Sequence, residues 1–445
     1  MDADPETLAG FDPFAEAVIA DPVPWYALMR KEQPVFRVPG LGFYLVTRHE
    51  DVVAAVRDTD TFSNRFTSPG LALGRGSPAI QEELDAILAR GYPRTPTLLT
   101  NDPPAHTRFR RLVSRAFTPR RVSSWTEAID RLSDELIGVF AGRGSVELVT
   151  EFAVPLPIGV IADALGVPRD MQPTFRRWTD DSTDLIGADV TDERRLDAAR
   201  GLVEFQTYFA AELADRRRSP RDDFLTDLLQ PWEPHPPPPT DAGEVHLPPP
   251  RDSGDEDGLD DTRPLDTPEM LSILHQLLVA GNETTTTLLA ESMRLLVASP
   301  SDYGRVAADG DGSYTAAVVE EALRLCAPAQ GMFRVVTRDT VLGGVELPAG
   351  ATAILMYASA NRDESQWPDA DSFCPGRDGV RHHLSFGSGI HFCVGAALSR
   401  AEAQAALPRL CRALPDARLA TDTLDYKPSF VLRGLRSLPL TFTPT

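Results

Sequence analysis

LSFGSGIHFCVGAALSR, residues 384–400, is the stretch from which the fold can be read, because it sets a cysteine at the start of an apolar helix. Gly387 and Gly389 precede Cys393, and a loop built on glycines lets the backbone pass close to a flat ligand. The free N–H groups and the dipole of a helix N-terminus favour an anionic sulfur. Gly395 removes a side chain just after the cysteine. A lone cysteine beside such a turn is more often a buried structural residue than a ligand. The residues around Cys393 therefore have to distinguish between these two roles.

The cysteine lies within a longer sequence pattern. Residues 386–395 read FGSGIHFCVG, and this resembles the cysteine loop of the cytochrome P-450 family. The resemblance implies a haem b cofactor (iron protoporphyrin IX) with the thiolate of Cys393 as the axial ligand of the iron. A zinc site on His391 and Cys393 is the alternative, but the spacing is tight and no second ligand pair is apparent. The remaining residues that the resemblance assigns to cofactor binding in this loop are Phe386, Gly387, His391 and Gly395.

LLVAGNETTTTLL, residues 277–289, lies inside a predicted long helix. Thr267 is expected to be its N-cap with Pro268 at the first helical position, and Pro300 limits its far end. The helix is apolar over much of its circumference, which predicts a position in the centre of a large domain.

A polar turn interrupts this apolar helix. Thr284 can donate its hydroxyl to the carbonyl of Ala280, and Gly281 removes bulk at the same point. Glu283 and Thr284 form an acid–alcohol pair that could relay protons. Taken alone, a Thr-rich turn with one Glu is usually a polar patch. By resemblance to the family, the oxygen-activation positions and candidate catalytic residues are Ala280, Gly281, Glu283 and Thr284.

EEALR, residues 320–324, places Glu321 and Arg324 three apart on one helical face, where they can pair. Exposed pairs of this kind are common and contribute little. In the family that the chain resembles, this Glu-x-x-Arg pair is a buried scaffold beneath the haem, tied to a downstream arginine, for which Arg377 is the candidate. The family often has an acidic residue where Cys374 stands, which is a minor departure.

NDPPAHTRFRRLVSRAF, residues 101–117, predicts a helix with His106 and Arg110 on one face. The resemblance implies that these two residues bind the haem propionates together with His391 and Arg334. A planar guanidinium suits a carboxylate partner, which gives the assignment chemical sense.

The opposite side of the same helix is basic. Arg108, Arg111 and Arg115 fall roughly there. They form either a solvated helix face or a surface that receives an acidic ferredoxin, and the sequence leaves both interpretations open.

Composition limits the classes of function. The 445 residues carry a net charge of −21, which argues against nucleic acid as a partner, and Lys31 and Lys427 are the only lysines. No run approaches the roughly 20 apolar residues of a membrane span. The acidic start lacks the features of a signal peptide, so we expect a cytoplasmic protein without a membrane anchor. Four cysteines in a chain of this length do not form a disulfide framework.

We therefore expect the mainly α cytochrome P-450 fold with a smaller β-rich portion, as a single domain over residues 1–445. Residues 231–261 are rich in proline and acid and nearly empty of large apolar side chains, which predicts a disordered surface insertion. Two short strands are predicted within 34–47, further strands at 333–338 and 351–357, and a last helix at 394–413.

The resemblance implies a monooxygenase that takes two electrons from NAD(P)H through a ferredoxin reductase and a ferredoxin. Apolar residues in the segments expected to line the pocket favour an apolar small-molecule substrate, although some of them are expected to pack the core. Two alternatives are a haem-thiolate sensor or carrier, which needs no proton relay, and a peroxide-driven peroxygenase. The apolar residues concerned are Phe62, Phe66, Leu71, Leu73, Leu98, Leu99, Met332, Phe333, Phe430 and Val431.

Overall fold

A computed structural model describes residues 5, 7–65, 78–114, 117–187, 190–229 and 263–444, and these residues are mainly helical. In chain order the α-helices are α1 (Glu16–Ala20), α2 (Val23–Glu32), α3 (His49–Arg57), α4 (Gln81–Leu88), α5 (Ala105–Ser114), α6 (Pro119–Phe140), α7 (Pro155–Ala164), α8 (Gln172–Gly187), α9 (Asp192–Arg218), α10 (Phe224–Leu229), α11 (Thr267–Ala298), α12 (Pro300–Ala307), α13 (Ser313–Cys326), α14 (Tyr357–Ala360) and α15 (Ala396–Ala413). The strands are β1 (Val35–Arg37), β2 (Tyr44–Val46), β3 (Phe62–Ser63), β4 (Ser145–Glu147), β5 (Met332–Val336), β6 (Thr340–Leu342), β7 (Val345–Leu347), β8 (Thr352–Leu355), β9 (Arg418–Leu419) and β10 (Pro439–Thr441).

The central position predicted for the long apolar helix is confirmed, since α11 packs against α7, α8, α13 and α15. Leu274, Leu278 and Leu289 are fully buried there. The predicted N-cap was wrong by one residue. Asp266 is the cap, because it accepts from the N–H of Glu269 while the Glu269 carboxylate accepts from the N–H of Asp266. This capping box satisfies two backbone donors at once, whereas Thr267 lies inside the helix.

The smaller β-rich portion contains a five-stranded sheet in the order β1-β2-β8-β5-β3, in which β2 and β8 run parallel. A three-stranded sheet has the order β4-β10-β9, and β6 pairs with β7. The two strands expected within 34–47 are confirmed as β1 and β2, and those expected at 333–338 and 351–357 are the shorter β5 and β8. The sheet therefore joins segments that lie about three hundred residues apart, and it sets Arg334 of β5 opposite Ala353 of β8.

Two further expectations concern the ends of elements and the insertion. The last helix begins at Ala396, two residues later than predicted, so that Cys393 lies in the preceding loop. The predicted insertion at 231–261 lies outside the described residues. Within the described ranges, no helix is both long enough and apolar enough to cross a membrane.

Candidate active site

Cys393 is held in the loop before α15 by backbone geometry that the neighbouring glycines permit. Its N–H donates to the carbonyl of Phe386 at 2.8 Å. Gly387 and Gly389 both have φ of 67°, a left-handed conformation that is strained for other residues. Gly395 is the N-cap of α15, and a Cβ at this position would lie 3.9 Å from the Cys393 sulfur. The loop therefore presents the sulfur without a covering side chain.

The Cys393 sulfur faces an internal cavity. It is accessible from that cavity, although the surrounding protein separates it from bulk solvent, and this burial raises the pKa of Cys393. The N–H of Gly395 and the charge of Arg110 act in the opposite direction. A cation bound at the sulfur would favour the thiolate, because a metal ion is the largest local charge in such a site.

The cavity and its opening to solvent together span about 1470 Å³, and the cavity walls are mostly apolar. Both α11 and the Cys393 loop line it, so two segments more than a hundred residues apart form one site. Apolar residues of its walls include Leu98, Leu99, Leu277, Leu323, Met332 and Leu398.

The apolar lining differs in part from the prediction. Leu98, Leu99 and Met332 do line the cavity. Four predicted lining residues pack instead in hydrophobic clusters outside this cavity, where Phe62 and Phe430 are buried and Phe333 and Val431 are partly buried. Phe66, Leu71 and Leu73 lie outside the described residues.

Four side chains predicted to share one ligand line this cavity together, namely His106, Arg110, Arg334 and His391. The two imidazole rings lie 4.2 Å apart, and the buried Nε2 of His391 has no hydrogen-bond partner. Arg110 and Arg334 donate to backbone carbonyls, and no carboxylate among the described residues pairs with either. Burial and the charge of Arg110 lower the pKa of His106 to about 4. A bound anion would balance the charges of Arg110 and Arg334.

Sequence reasoning missed two polar residues on the walls. Tyr357 is buried, hydrogen-bonds with Arg334, and would lie 3.5 Å from a Cβ at Gly387. Glu402 of α15 is 3% exposed, its Oε2 has no partner, and burial raises its pKa to about 8. Neither stands out in sequence, because their positions on the walls depend on tertiary packing.

The polar turn of α11 has the predicted hydrogen bond. The Thr284 hydroxyl donates to the Ala280 carbonyl at 2.7 Å, and both residues line the cavity together with Gly281. A Cβ at Gly281 would meet nothing within 4 Å, so the helix surface is open there. Glu283 is not among the lining residues. Its carboxylate accepts from Lys427 Nζ at 2.5 Å.

Glu321, Arg324 and Arg377 meet in the interior. Arg324 donates to both oxygens of Glu321 at 2.8 and 2.9 Å, and Arg377 Nε donates to Glu321 Oε1 at 3.1 Å. Glu321 and Arg324 are fully buried. The backbone N–H of Cys374 also donates to Glu321, so the side chain at that departure from the family pattern takes no part in the network.

The neighbouring Glu320 joins α13 to α15, a contact that the sequence did not reveal. Arg400 donates to its two oxygens at 2.5 and 2.9 Å, and His383 Nε2 lies 3.2 Å away. Burial raises the pKa of Glu320, but His383 and Arg400 outweigh it and lower the pKa to about 2. Arg400 also lies over the ring of Phe386 at 4.5 Å, so this ion pair supports the Cys393 loop.

The basic stripe predicted on α5 has to be corrected. Arg108 is 2% exposed and forms an ion pair with Glu269 at 2.9 Å, so it is not part of an outer surface. The reason is that the residues preceding α11 cover this side of α5, and Arg108 donates to the Arg263 carbonyl there. Arg111 is partly exposed, and Arg115 lies outside the described residues.

A haem group fits the residues that this cavity offers. Its two propionates need cationic and hydrogen-bonding partners. Arg110 and Arg334, which pair with no carboxylate of the described residues, and the orphaned Nε2 of His391 supply them. Its flat apolar ring needs an apolar cavity whose walls lack bulk near Gly281 and Gly387. No group of three or more His, Cys, Asp or Glu side chains that could hold a metal ion occurs in the ranges described.

Comparisons with known proteins agree with this site. The cytochrome P450 family profile matches residues 254–414. The chain is 36% identical to cytochrome P450 107B1 of Saccharopolyspora erythraea over 98% of both chains, and 34% identical to the 6-deoxyerythronolide B hydroxylase of the same organism over 93% of this chain and 94% of that one. It is similar to the structure of cytochrome P450 CYP109Q5 from Chondromyces apiculatus, with a TM-score of 0.79, 33% identity and 98% of both chains covered. The chain therefore belongs to the cytochrome P450 family, whose members are monooxygenases that bind haem b.

Proposed function

We propose that this cytochrome P450 uses O2 and two electrons from a ferredoxin reductase and a ferredoxin to hydroxylate, or otherwise oxidise, an apolar small molecule. The observation that carries the proposal is that the Cys393 sulfur and the Ala280–Thr284 turn line one apolar cavity. When bound, haem supplies O2 binding and O–O cleavage, which electron donation from an axial thiolate favours. The work of the chain is to hold that group, move protons and orient the substrate.

We assign the cofactor contacts from the chemistry of the donors. Cys393 is the iron ligand. His106, Arg110, Arg334 and His391 hold the propionates, which is supported by their convergence on one cavity and by the finding that no carboxylate of the described residues pairs with Arg110 or Arg334. The residues assigned to the face and edge of the ring are Phe386, Gly387 and Gly395.

Thr284 and Glu283 handle protons. Because the Thr284 hydroxyl donates to Ala280, its oxygen is free to accept a hydrogen bond from the cavity side. Gly281 leaves the helix surface open at that point. Glu283 follows on the adjacent face and is 19% exposed, so it connects the turn with solvent. A positioned general acid or base of this kind typically contributes about 10²- to 10⁴-fold to a rate.

An apolar substrate is supported by the walls of the cavity, which are mostly carbon. The relative named 6-deoxyerythronolide B hydroxylase gives further support, since its name describes oxidation of an organic small molecule. Displacement of water from such walls favours an apolar ligand, and the few polar groups orient it.

The electron donor is proposed to bind near α5. With Arg108 buried, two residues of the predicted basic stripe remain that could meet an acidic ferredoxin, namely Arg111 of α5 and Arg115, which lies outside the described residues. Charge complementarity of this kind mainly raises the rate of association.

The test of the proposed function is the absorption spectrum of the dithionite-reduced protein with carbon monoxide. We expect a strongly red-shifted Soret band in the parent protein and its loss in Cys393→Ala. Cys374→Ala is the matched control, because Cys374 is exposed and only its backbone contacts Glu321. A parent protein that binds haem without this band would contradict thiolate ligation, and one that binds no haem would contradict the cofactor contacts assigned above.

A further inference from the structure

Glu283, the acid of the proposed relay, is bound by a lysine from near the C-terminus. Lys427 Nζ donates to Glu283 Oε2 at 2.5 Å, across 144 residues of sequence. The Glu283 side chain is 19% exposed and that of Lys427 is 32% exposed, so the pair lies at the boundary between the interior and solvent. The chain contains 44 Lys and Arg residues, of which only Lys31 and Lys427 are lysines.

The backbone that carries Lys427 is itself fixed. The Lys427 N–H donates to the Gly434 carbonyl at 2.9 Å, and Tyr426 pairs with Leu435 in an antiparallel bridge. Arg433 lies over the Tyr426 ring at 3.6 Å. Because the backbone at Lys427 is already ordered, pairing with Glu283 costs only the rotamer freedom of the side chain and no further backbone entropy.

A second carboxylate, that of Asp180, adds a like charge to the surroundings of Glu283. Asp180 of α8 lies close enough to Glu283 for their charges to interact. Burial raises the pKa of Asp180, Arg176 opposes this, and Asp184 and Glu283 raise it further. Like charges repel, which disfavours an orientation of the Glu283 carboxylate towards Asp180, although Arg176 and Arg194 reduce the effect. The ammonium of Lys427 offsets that repulsion.

Direct proton donation by Lys427 is the less favourable alternative. A lysine ammonium holds its proton far more tightly than a carboxyl group does, so transfer from one to the other runs uphill. Orientation of Glu283 needs only the charge and an N–H donor, both of which the ion pair provides.

We propose that Lys427 is a positioning residue that holds Glu283 beside Thr284 for proton delivery. The inference rests on the proposed function, because it assumes that Glu283 supplies protons. It adds that the C-terminal segment around Lys427 controls this supply.

A substrate-free oxidase assay tests the proposal with NADPH, spinach ferredoxin and its reductase. O2 takes up two electrons and two protons to give H2O2, or four of each to give two H2O, so poor proton delivery changes the H2O2 formed per NADPH. We expect Lys427→Met to change this ratio about threefold to tenfold in the same direction as Glu283→Gln, less than the full loss of a general acid. Lys427→Arg should restore the parent ratio, and Lys31→Met should leave it unchanged.

The double variant Lys427→Met with Asp180→Asn sharpens the test. Removal of the repelling carboxylate should bring the ratio back towards that of the parent protein. A parent-like ratio in Lys427→Met, with a changed ratio in Glu283→Gln, would overturn the positioning role but leave the proposed function intact. A parent-like ratio in Glu283→Gln itself would overturn the relay of the proposed function.

A spectroscopic readout is independent of turnover. Reductive methylation with ¹³C-formaldehyde labels only Lys31, Lys427 and the N-terminal amine, and Lys31→Arg assigns the signals. In the reduced, carbon monoxide-bound protein, Glu283→Gln should shift the Lys427 resonance and leave that of Lys31 in place. An unshifted Lys427 resonance would show that the pair does not exist in solution.

Discussion

Glu402 shows how a single buried residue makes stability depend on pH. Its pKa is raised to about 8 because its carboxyl group is buried in α15 and Oε2 has no partner. In the unfolded chain this group ionises near its ordinary value of about 4.3. The native state therefore binds this proton more tightly than the unfolded state does. The resulting contribution of Glu402 to the free energy of unfolding is fully present below about pH 4.3 and is lost as pH rises to about 8.

We expect Glu402→Gln to remove that part of the pH dependence. Between pH 5 and pH 8 the parent protein should lose on the order of 4 kcal/mol of unfolding free energy more than the variant does. Guanidinium denaturation at both pH values measures this. Buried histidines such as His106 titrate in both proteins, so the comparison cancels them. Equal pH dependence of the two proteins would contradict the prediction.

At the scale of single residues, the sequence could identify those whose chemical role depends on near neighbours in the chain. Cys393 stands in a ten-residue pattern, and Thr284 has its acceptor Ala280 one helical turn away. Lys427 could not be identified, because its partner Glu283 lies 144 residues away and surface lysines carry no local signal. Glu402 was hidden for a related reason, since its missing partner is visible only after folding.

The ion pair between α5 and α11 gives a prediction at the scale of secondary-structure elements. Arg108→Leu leaves the buried Glu269 without its closest buried cation, although Arg263 still donates to it. Removal of one partner of a buried ion pair typically costs about 3 to 5 kcal/mol of unfolding free energy. Because Arg263 remains as a second partner of Glu269, we expect a cost near the lower value. We expect a corresponding loss in denaturant unfolding experiments.

Arg120→Leu is the control, because Arg120 is exposed on the next helix, α6. If Arg108→Leu were no less stable than this control, the ion pair would not join the two helices in solution.

The bounds of elements were predictable where one periodicity dominates. The apolar run of α11 and the two short apolar segments of β1 and β2, separated by a glycine-containing turn, follow from the local pattern. Helical periodicity also placed Arg108 opposite His106 correctly, but it could not tell that another segment covers that side. The cap of α11 was missed by one residue because Asp266 and Thr267 are both good caps, and only the reciprocal bond with Glu269 selects between them.

The whole molecule assembles its site from segments that sequence order does not connect. Residues from α5, α11, β5 and the loop before α15 line one cavity. Single-residue patterns gave no distance between these segments. Only the family resemblance predicted that these segments meet, because local sequence patterns do not show which distant segments are neighbours in the fold.

Net charge governs the encounter with an electron donor at this scale. The chain carries −21, so the acidic ferredoxin that we propose as donor would be repelled at long range, while Arg111 and Arg115 would attract it locally. Salt screens the long-range part first, because the Debye length falls from about 30 Å at 0.01 M to about 10 Å at 0.1 M and about 3 Å at 1 M. The second-order rate of reduction by ferredoxin should therefore rise up to about 0.1 M salt and fall beyond it.

Stopped-flow reduction at increasing salt measures that rate, and substitution of the two arginines separates the opposing effects. In Arg111→Glu/Arg115→Glu the local attraction is gone, so the rate should be several-fold lower at about 0.1 M salt and should no longer fall at higher salt. Arg418→Glu, on the exposed strand β9, tests the reversal of one arginine charge elsewhere and should keep the maximum. A double variant with the salt profile of the parent protein would place the ferredoxin on another surface, because only a local attraction can produce the falling part of the curve.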